Sequence, residues 1–115
     1  MAPRMQIGEV ADRIGLSLRT IRYYEEVGLA VPSARSEGGF RLYVEDDVER
    51  LRVIMQMKPL GFSLEEMREL LELLDAGEDA DPARRTAFRE QAAARVATLR
   101  AQLRTAEQFA ARLEV

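Results

Sequence analysis

A chain of 115 residues, 47% of them hydrophobic, can form one small domain plus an appendage, and a core of that size often relies on oligomerisation. The absence of Cys and His excludes disulfides, thiol redox chemistry, the usual zinc and copper sites and nucleophilic catalysis of the Ser-His-Asp or Cys-His kind, so neither enzymatic activity nor a cofactor or metal is expected. The net charge of −3 conceals an uneven distribution: nine basic and nine acidic residues in 1–60, one and eight in 61–81, seven and three in 82–115, which leaves room for a local basic face. No run approaches the roughly 18 apolar residues of a membrane span. The start, Met1-Ala2-Pro3-Arg4-Met5, has no apolar signal core, so a cytoplasmic protein without a membrane partner is expected.

Ile7, Val10, Ala11 and Ile14 recur at helical spacing, with Gly15 as a stop. Ser17 is placed to cap a second helix over Leu18 to about Val27, closed by Gly28. Two short helices joined by a Gly-containing turn form a helix-turn-helix pattern. Leu29 to Val44 lacks helical period: Pro32 blocks a helix, and Ser36-Glu37-Gly38-Gly39 supplies a turn between Ala34-Arg35 and Phe40-Arg41-Leu42-Tyr43, predicting a β-hairpin.

A third helix is predicted over Glu45 to Met57, with Val48, Leu51, Ile54 and Met55 inside and Glu45, Asp46 and Asp47 against the positive end of its dipole. Pro59 and Gly61 end it. Ser63-Leu64-Glu65-Glu66 reads as a capping box that opens a fourth helix, with Leu64, Met67, Leu70, Leu71 and Leu74 inside. A polar linker follows from Asp75 to Asp81. The last helix starts near Pro82 and carries Ala92, Val96, Leu99, Leu103, Ala106, Ala110 and Leu113 at alternating spacings of four and three. That heptad seam is too long for so small a domain to cover, and a helix from a second chain is its natural partner.

On the second helix Arg19, Arg22 and Tyr23 share a face, while Leu18 and Ile21 point elsewhere. Guanidinium groups can pair with guanine edges or grip phosphates, and a tyrosine offers a hydroxyl and a ring. A solvated polar helix face explains the same pattern. On the hairpin, Arg41 and Tyr43 are two apart and project together, with Arg35 on the facing strand, which suits a wing over a DNA backbone or an ordinary charged hairpin. The carboxylates Glu45, Asp46, Asp47 and Glu49 have no converging second cluster and are read as dipole and solvent groups.

The runs Ile7-Gly8-Glu9-Val10-Ala11, Thr20-Ile21-Arg22-Tyr23-Tyr24-Glu25, Gly28-Leu29 and Pro32 resemble the winged helix-turn-helix of the MerR family. Arg35, Gly39-Phe40-Arg41-Leu42-Tyr43, Asp47-Val48 and Leu51 resemble its wing and third helix, and Leu60-Gly61-Phe62-Ser63-Leu64-Glu65-Glu66 resembles the start of its fourth. The C-terminal seam resembles the family's antiparallel dimerisation helix. The resemblance implies a mainly α fold with a small β-hairpin wing: a DNA-binding domain over 1–76, a linker over 77–81 and a coiled-coil helix over 82–115. It implies that Arg19, Thr20, Arg22, Tyr23 and Tyr24 contact the major groove or backbone, Tyr24 being equally suited to the core, and that Arg35, Arg41 and Tyr43 serve the wing. Its members act as homodimers on palindromic promoter DNA and distort the spacer between promoter elements so that RNA polymerase can use it.

Two departures stand out. Val44 occupies a position where the family favours a capping residue, and a short form without a separate effector-binding domain is expected. The cysteines of metal- and redox-sensing members are missing, which leaves the effector unidentified. A coiled-coil interaction protein would leave Arg19 and Arg22 without a role; an architectural DNA-bending protein would use the same residues as a promoter regulator.

Overall fold

The computed structural model describes residues 4–114; Met1–Pro3 and Val115, which the expected domain limits and N-terminal reading include, lie outside them. The order of elements is β1 (Met5–Gln6), α1 (Ile7–Ile14), α2 (Leu18–Glu26), β2 (Ala34–Arg35), β3 (Arg41–Tyr43), α3 (Glu45–Met57), α4 (Leu64–Ala76) and α5 (Pro82–Arg112), with 3-10 turns at Lys58–Leu60 and Gly77–Asp79. The chain divides into two compact units, the first ending at Leu71 and the second beginning at Glu72. No helix is long and apolar enough to cross a membrane among the described residues.

Local chemistry sets the helix ends of the first unit. Gly15 closes α1 at φ 75°, a left-handed conformation that glycine adopts without steric cost, and its N–H donates to the Ala11 carbonyl. Ser17 Oγ caps α2 by accepting from Thr20 N at 3.1 Å. At the far end of α2 the N–H groups of Val27, Gly28 and Leu29 donate to the carbonyls of Tyr23, Glu25 and Tyr24, and two arginines from later helices tie down the segment that follows. Arg68 Nη2 donates to Val27 O at 2.6 Å, and Arg50 Nε donates to Leu29 O at 2.7 Å. Ser63 and Glu66 form the predicted reciprocal box, Ser63 N donating to Glu66 Oε1 at 2.9 Å and Glu66 N to Ser63 Oγ at 3.1 Å.

At α3 the cap is half built. Val44 has no side-chain acceptor, but Val44 N donates to Asp47 Oδ2 at 2.9 Å. Asp47 also accepts from Ser33 N at 3.2 Å and from Ser33 Oγ at 2.7 Å, tying the segment before β2 to the start of α3. Arg13 donates to both oxygens of Glu45, at 2.5 and 3.0 Å, joining α1 to α3 at the surface.

The strands form a three-stranded antiparallel sheet in the order β1-β3-β2, with Met5 opposite Tyr43 and Arg35 opposite Arg41. β1 was not expected. α1 packs against α2, α3 and the β1–β3 pair. Val10, Ile21, Leu29, Tyr43, Val48, Leu51, Ile54 and Leu71 form the most buried part of the core. Two apolar stripes differ from expectation by a residue or two. α3 buries Met57 and leaves Met55 half-exposed. α4 buries Met67, Leu71 and Leu73, while Leu64 and Leu74 are exposed. Leu64 lies in the first turn of α4.

In the second unit α5 runs unbroken for 31 residues, about 46 Å at 1.5 Å per residue. Asp81 Oδ1 accepts from Ala83 N at 3.0 Å, and Pro82 takes the first helical position, where its missing N–H costs nothing. Arg85 Nη2 donates to Gly77 O at 2.5 Å, bracing the turn before the helix. Among the described residues of α5 none is buried. Val96, Leu99, Leu103 and Leu113 of the seam are exposed, with Phe109 beside them.

Candidate nucleic-acid interface

The rotation of α2 is set by what it buries. Ile21 and Tyr24 enter the core, so the residues on the opposite arc of the helical wheel face outward. Arg19, Arg22, Tyr23 and Glu26 line one open depression of about 560 Å³. Arg19, Thr20 and Tyr23 also border a second cleft of about 450 Å³, whose other wall is Lys58, Phe62, Leu64 and Met67. Thr20 Oγ1 lies 2.8 Å from Ser17 Oγ, so the cap and the outward face share a residue. Tyr23 and Tyr24 stand with ring centroids 5.8 Å apart and tilted by 54°, one ring outside and one inside.

The wing is a short, closed hairpin. Ser36 N donates to Phe40 O and Gly39 N to Ser36 O, both at 2.9 Å, while Phe40 N donates to Ser36 Oγ at 3.1 Å. Gly39 holds φ 82° at the turn, a conformation that disfavours any residue with a Cβ. Phe40 is exposed at the tip.

One carboxylate joins wing and helix. Glu25 accepts from Arg35 Nη2 through Oε1 and from Arg41 Nε through Oε2. Burial alone would push the Glu25 pKa up, but the Arg41 hydrogen bond and the charges of Arg41 and Arg35 outweigh it and hold the carboxyl below its ordinary value. The hydrogen bond to Glu25 likewise raises Arg41.

Four of the expected DNA-contacting residues, Arg19, Thr20, Arg22 and Tyr23, thus lie together on α2, and Arg35 and Arg41 lie together on the wing. Two expectations are corrected. Tyr24 is buried, as the alternative assignment to the core had it. Tyr43 is 0% exposed and belongs to the core, not to the wing surface. Arg41 and Tyr43 are two apart on β3, but the Tyr43 end is the part paired with β1 and α1 packs against β3, while the Arg41 end extends beyond β1. Burial pushes the Tyr43 hydroxyl up, so it stays protonated.

Two residues of the site escaped the sequence reading. Lys58 sits in the irregular turn before Pro59, and only the folded chain brings it beside Arg19. Glu25 stood in the Arg22-Tyr23-Tyr24-Glu25 run with no role of its own; its signal was the excess of two hairpin arginines over one hairpin carboxylate, Glu37.

The family model described as "MerR HTH family regulatory protein" matches residues 5–74, and one described as "MerR, DNA binding" matches residues 48–115. The chain is 52% identical over 69 residues to the HTH-type transcriptional regulator YfmP of Bacillus subtilis, covering 59% of this chain and 49% of that protein. It therefore spans about half the length of this curated relative. Among solved structures, it resembles the N-terminal part of MtaN, the multidrug transporter activator of Bacillus subtilis, with 31% identity, a TM-score of 0.63 and coverage of 95% of this chain and 97% of that one. It also resembles HiNmlR, a MerR family regulator lacking the sensor domain and bound to promoter DNA, with 27% identity, a TM-score of 0.78 and coverage of 96% and 88%.

Proposed function

Because the chain belongs to the MerR family of helix-turn-helix regulatory proteins, we propose that it binds double-stranded promoter DNA as a homodimer and regulates transcription there. The observation that carries this reading is the outward face of α2. Burial of Ile21 and Tyr24 turns Arg19, Thr20, Arg22 and Tyr23 to solvent together, on a helix capped at Ser17. An α-helix fits the major groove, and arginine is the side chain best matched to guanine edges. The wing supplies Arg35 and Arg41, joined to α2 through Glu25, and Lys58 borders the cleft beside Arg19, so further cations adjoin the helix as candidate phosphate contacts.

The seam of α5 supplies the second copy. Val96, Leu99 and Leu103 are exposed, and a symmetric pairing of two such helices would bury them. A two-fold dimer presents two copies of α2 to two half-sites, which is why the favoured DNA is palindromic. Distortion of the spacer between promoter elements, to the benefit of RNA polymerase, is the mode of action we propose, and such a role calls for a protein in the cytoplasm with the chromosome.

The test is selection of duplexes from a random library by the full chain. The proposal predicts a palindromic motif bound at roughly 10⁻⁸ M or tighter at physiological salt. A selection that yields no motif contradicts it.

A further inference from the structure

The carboxylate of Glu25 has a position that plain DNA binding does not explain. Arg35 and Arg41 are register partners across the β2–β3 ladder, so two like charges stand side by side in the sheet, an unfavourable arrangement by itself. Glu25, at the end of α2 with its side chain only 13% exposed, takes one hydrogen bond from each. Arg35 also donates to Gly39 O at 3.3 Å, so its guanidinium is held at both ends, by the helix and by the hairpin turn. A surface built only to attract phosphate would leave both guanidiniums free; here one of their two charges is cancelled, and both groups are locked to α2.

Phosphate contacts supply most of the affinity for DNA of any sequence, while base contacts discriminate between sequences. An anion set between the wing cations lowers the first term without touching the second. Fixed guanidiniums also meet the backbone only when α2 lies correctly in its groove. Resting on the DNA-binding function proposed above, we propose that Glu25 is a specificity-determining positioning residue, which restrains Arg35 and Arg41 so that the wing adds affinity on the matching sequence and little elsewhere.

The experiment compares the full chain with Glu25→Gln on two probes, a duplex recovered by selection and a mixed-sequence duplex, by fluorescence anisotropy across about 50–200 mM salt. Freed guanidiniums should raise affinity for the mixed duplex several-fold and steepen the slope of log affinity against log salt by about 0.9 for each phosphate gained. The preference for the selected duplex should fall correspondingly. A double variant, Glu25→Gln with Arg35→Gln, restores the local charge without the clamp: its salt slope should return to the parent's, while the lost preference should not. Circular dichroism checks that each variant is folded.

If Glu25→Gln weakens both duplexes alike with no change in slope, Glu25 merely stabilises the wing and the proposal is overturned. A double variant that regains the parent's preference overturns it as well. If the parent itself binds the two duplexes equally, the DNA-reading function fails first; if the parent discriminates and Glu25→Gln discriminates as well, only this inference fails.

Discussion

Met5 and Tyr43 stand opposite each other across the β1–β3 ladder, and both are buried. Among the described residues the Tyr43 hydroxyl finds no hydrogen-bond partner. Leaving a buried hydroxyl unpaired costs roughly 1–3 kcal/mol, so its removal should relieve the fold. Tyr43→Phe should be neutral or stabilising in chemical denaturation, whereas Tyr43→Ala should cost about 3–5 kcal/mol, the range for emptying an aromatic site. A Tyr43→Phe variant that loses more than about 1 kcal/mol would show that the hydroxyl has a partner.

That pair also marks where the sequence becomes hard to read. Helix ends were legible because their causes are local: Ser17 and Thr20, Ser63 and Glu66, and the turn at Gly15 each lie within four residues. β1 was not, because two residues carry no alternation, and without β1 the strand end at Tyr43 looks open. The run Leu70-Leu71-Glu72-Leu73-Leu74 offers two adjacent apolar choices, and only packing decides for Leu73. Ile54-Met55-Gln56-Met57 poses the same ambiguity, resolved toward Met57. Of the site, the outward face of α2 followed from helical spacing alone, but the pairing of Glu25 with Arg35 and Arg41 spans ten and sixteen residues and needs the folded hairpin.

Asp47 substitutes for the cap that Val44 cannot provide, and its carboxylate accepts three hydrogen bonds. Asp47→Ala should cost about 1–3 kcal/mol in thermal or chemical unfolding. Val44→Thr, close to valine in shape, supplies the missing side-chain acceptor and should stabilise by roughly 0.5–2 kcal/mol. A Val44→Thr chain no more stable than the parent contradicts the account of this helix start.

Glu25 links the wing to pH. Its pKa lies below the ordinary 4.5: burial pushes it up, and the Arg41 hydrogen bond with the charges of Arg41 and Arg35 brings it down further. A carboxyl with a lower pKa in the folded than in the unfolded chain stabilises the fold above the unfolded value, and that stabilisation disappears as pH falls through the folded value. The parent should therefore lose stability on acidification through and below 4.5, and Glu25→Gln should show a shallower loss over that window. Identical pH profiles would sink this assignment.

Leu99 sits mid-seam on α5 and is 45% exposed in the single chain. Leu99→Asp should leave the monomer fold intact and block dimerisation, since an unpaired carboxylate buried in each half of a symmetric interface costs several kcal/mol, roughly 3–5 for each uncompensated charge. Sedimentation should show a dimeric parent and a monomeric variant. A variant as dimeric as the parent would mean that the interface lies elsewhere.

The most direct test of the central claim, that α2 reads DNA through its outward face, is the affinity of Arg22→Ala for the selected duplex and for a mixed-sequence duplex, measured side by side at one salt concentration. Arg22 lies on that face with Arg19 and Tyr23. The account predicts a loss of about 1–3 kcal/mol on the selected duplex and a markedly smaller one on the mixed duplex. Equal affinity of parent and variant for the selected duplex would contradict it.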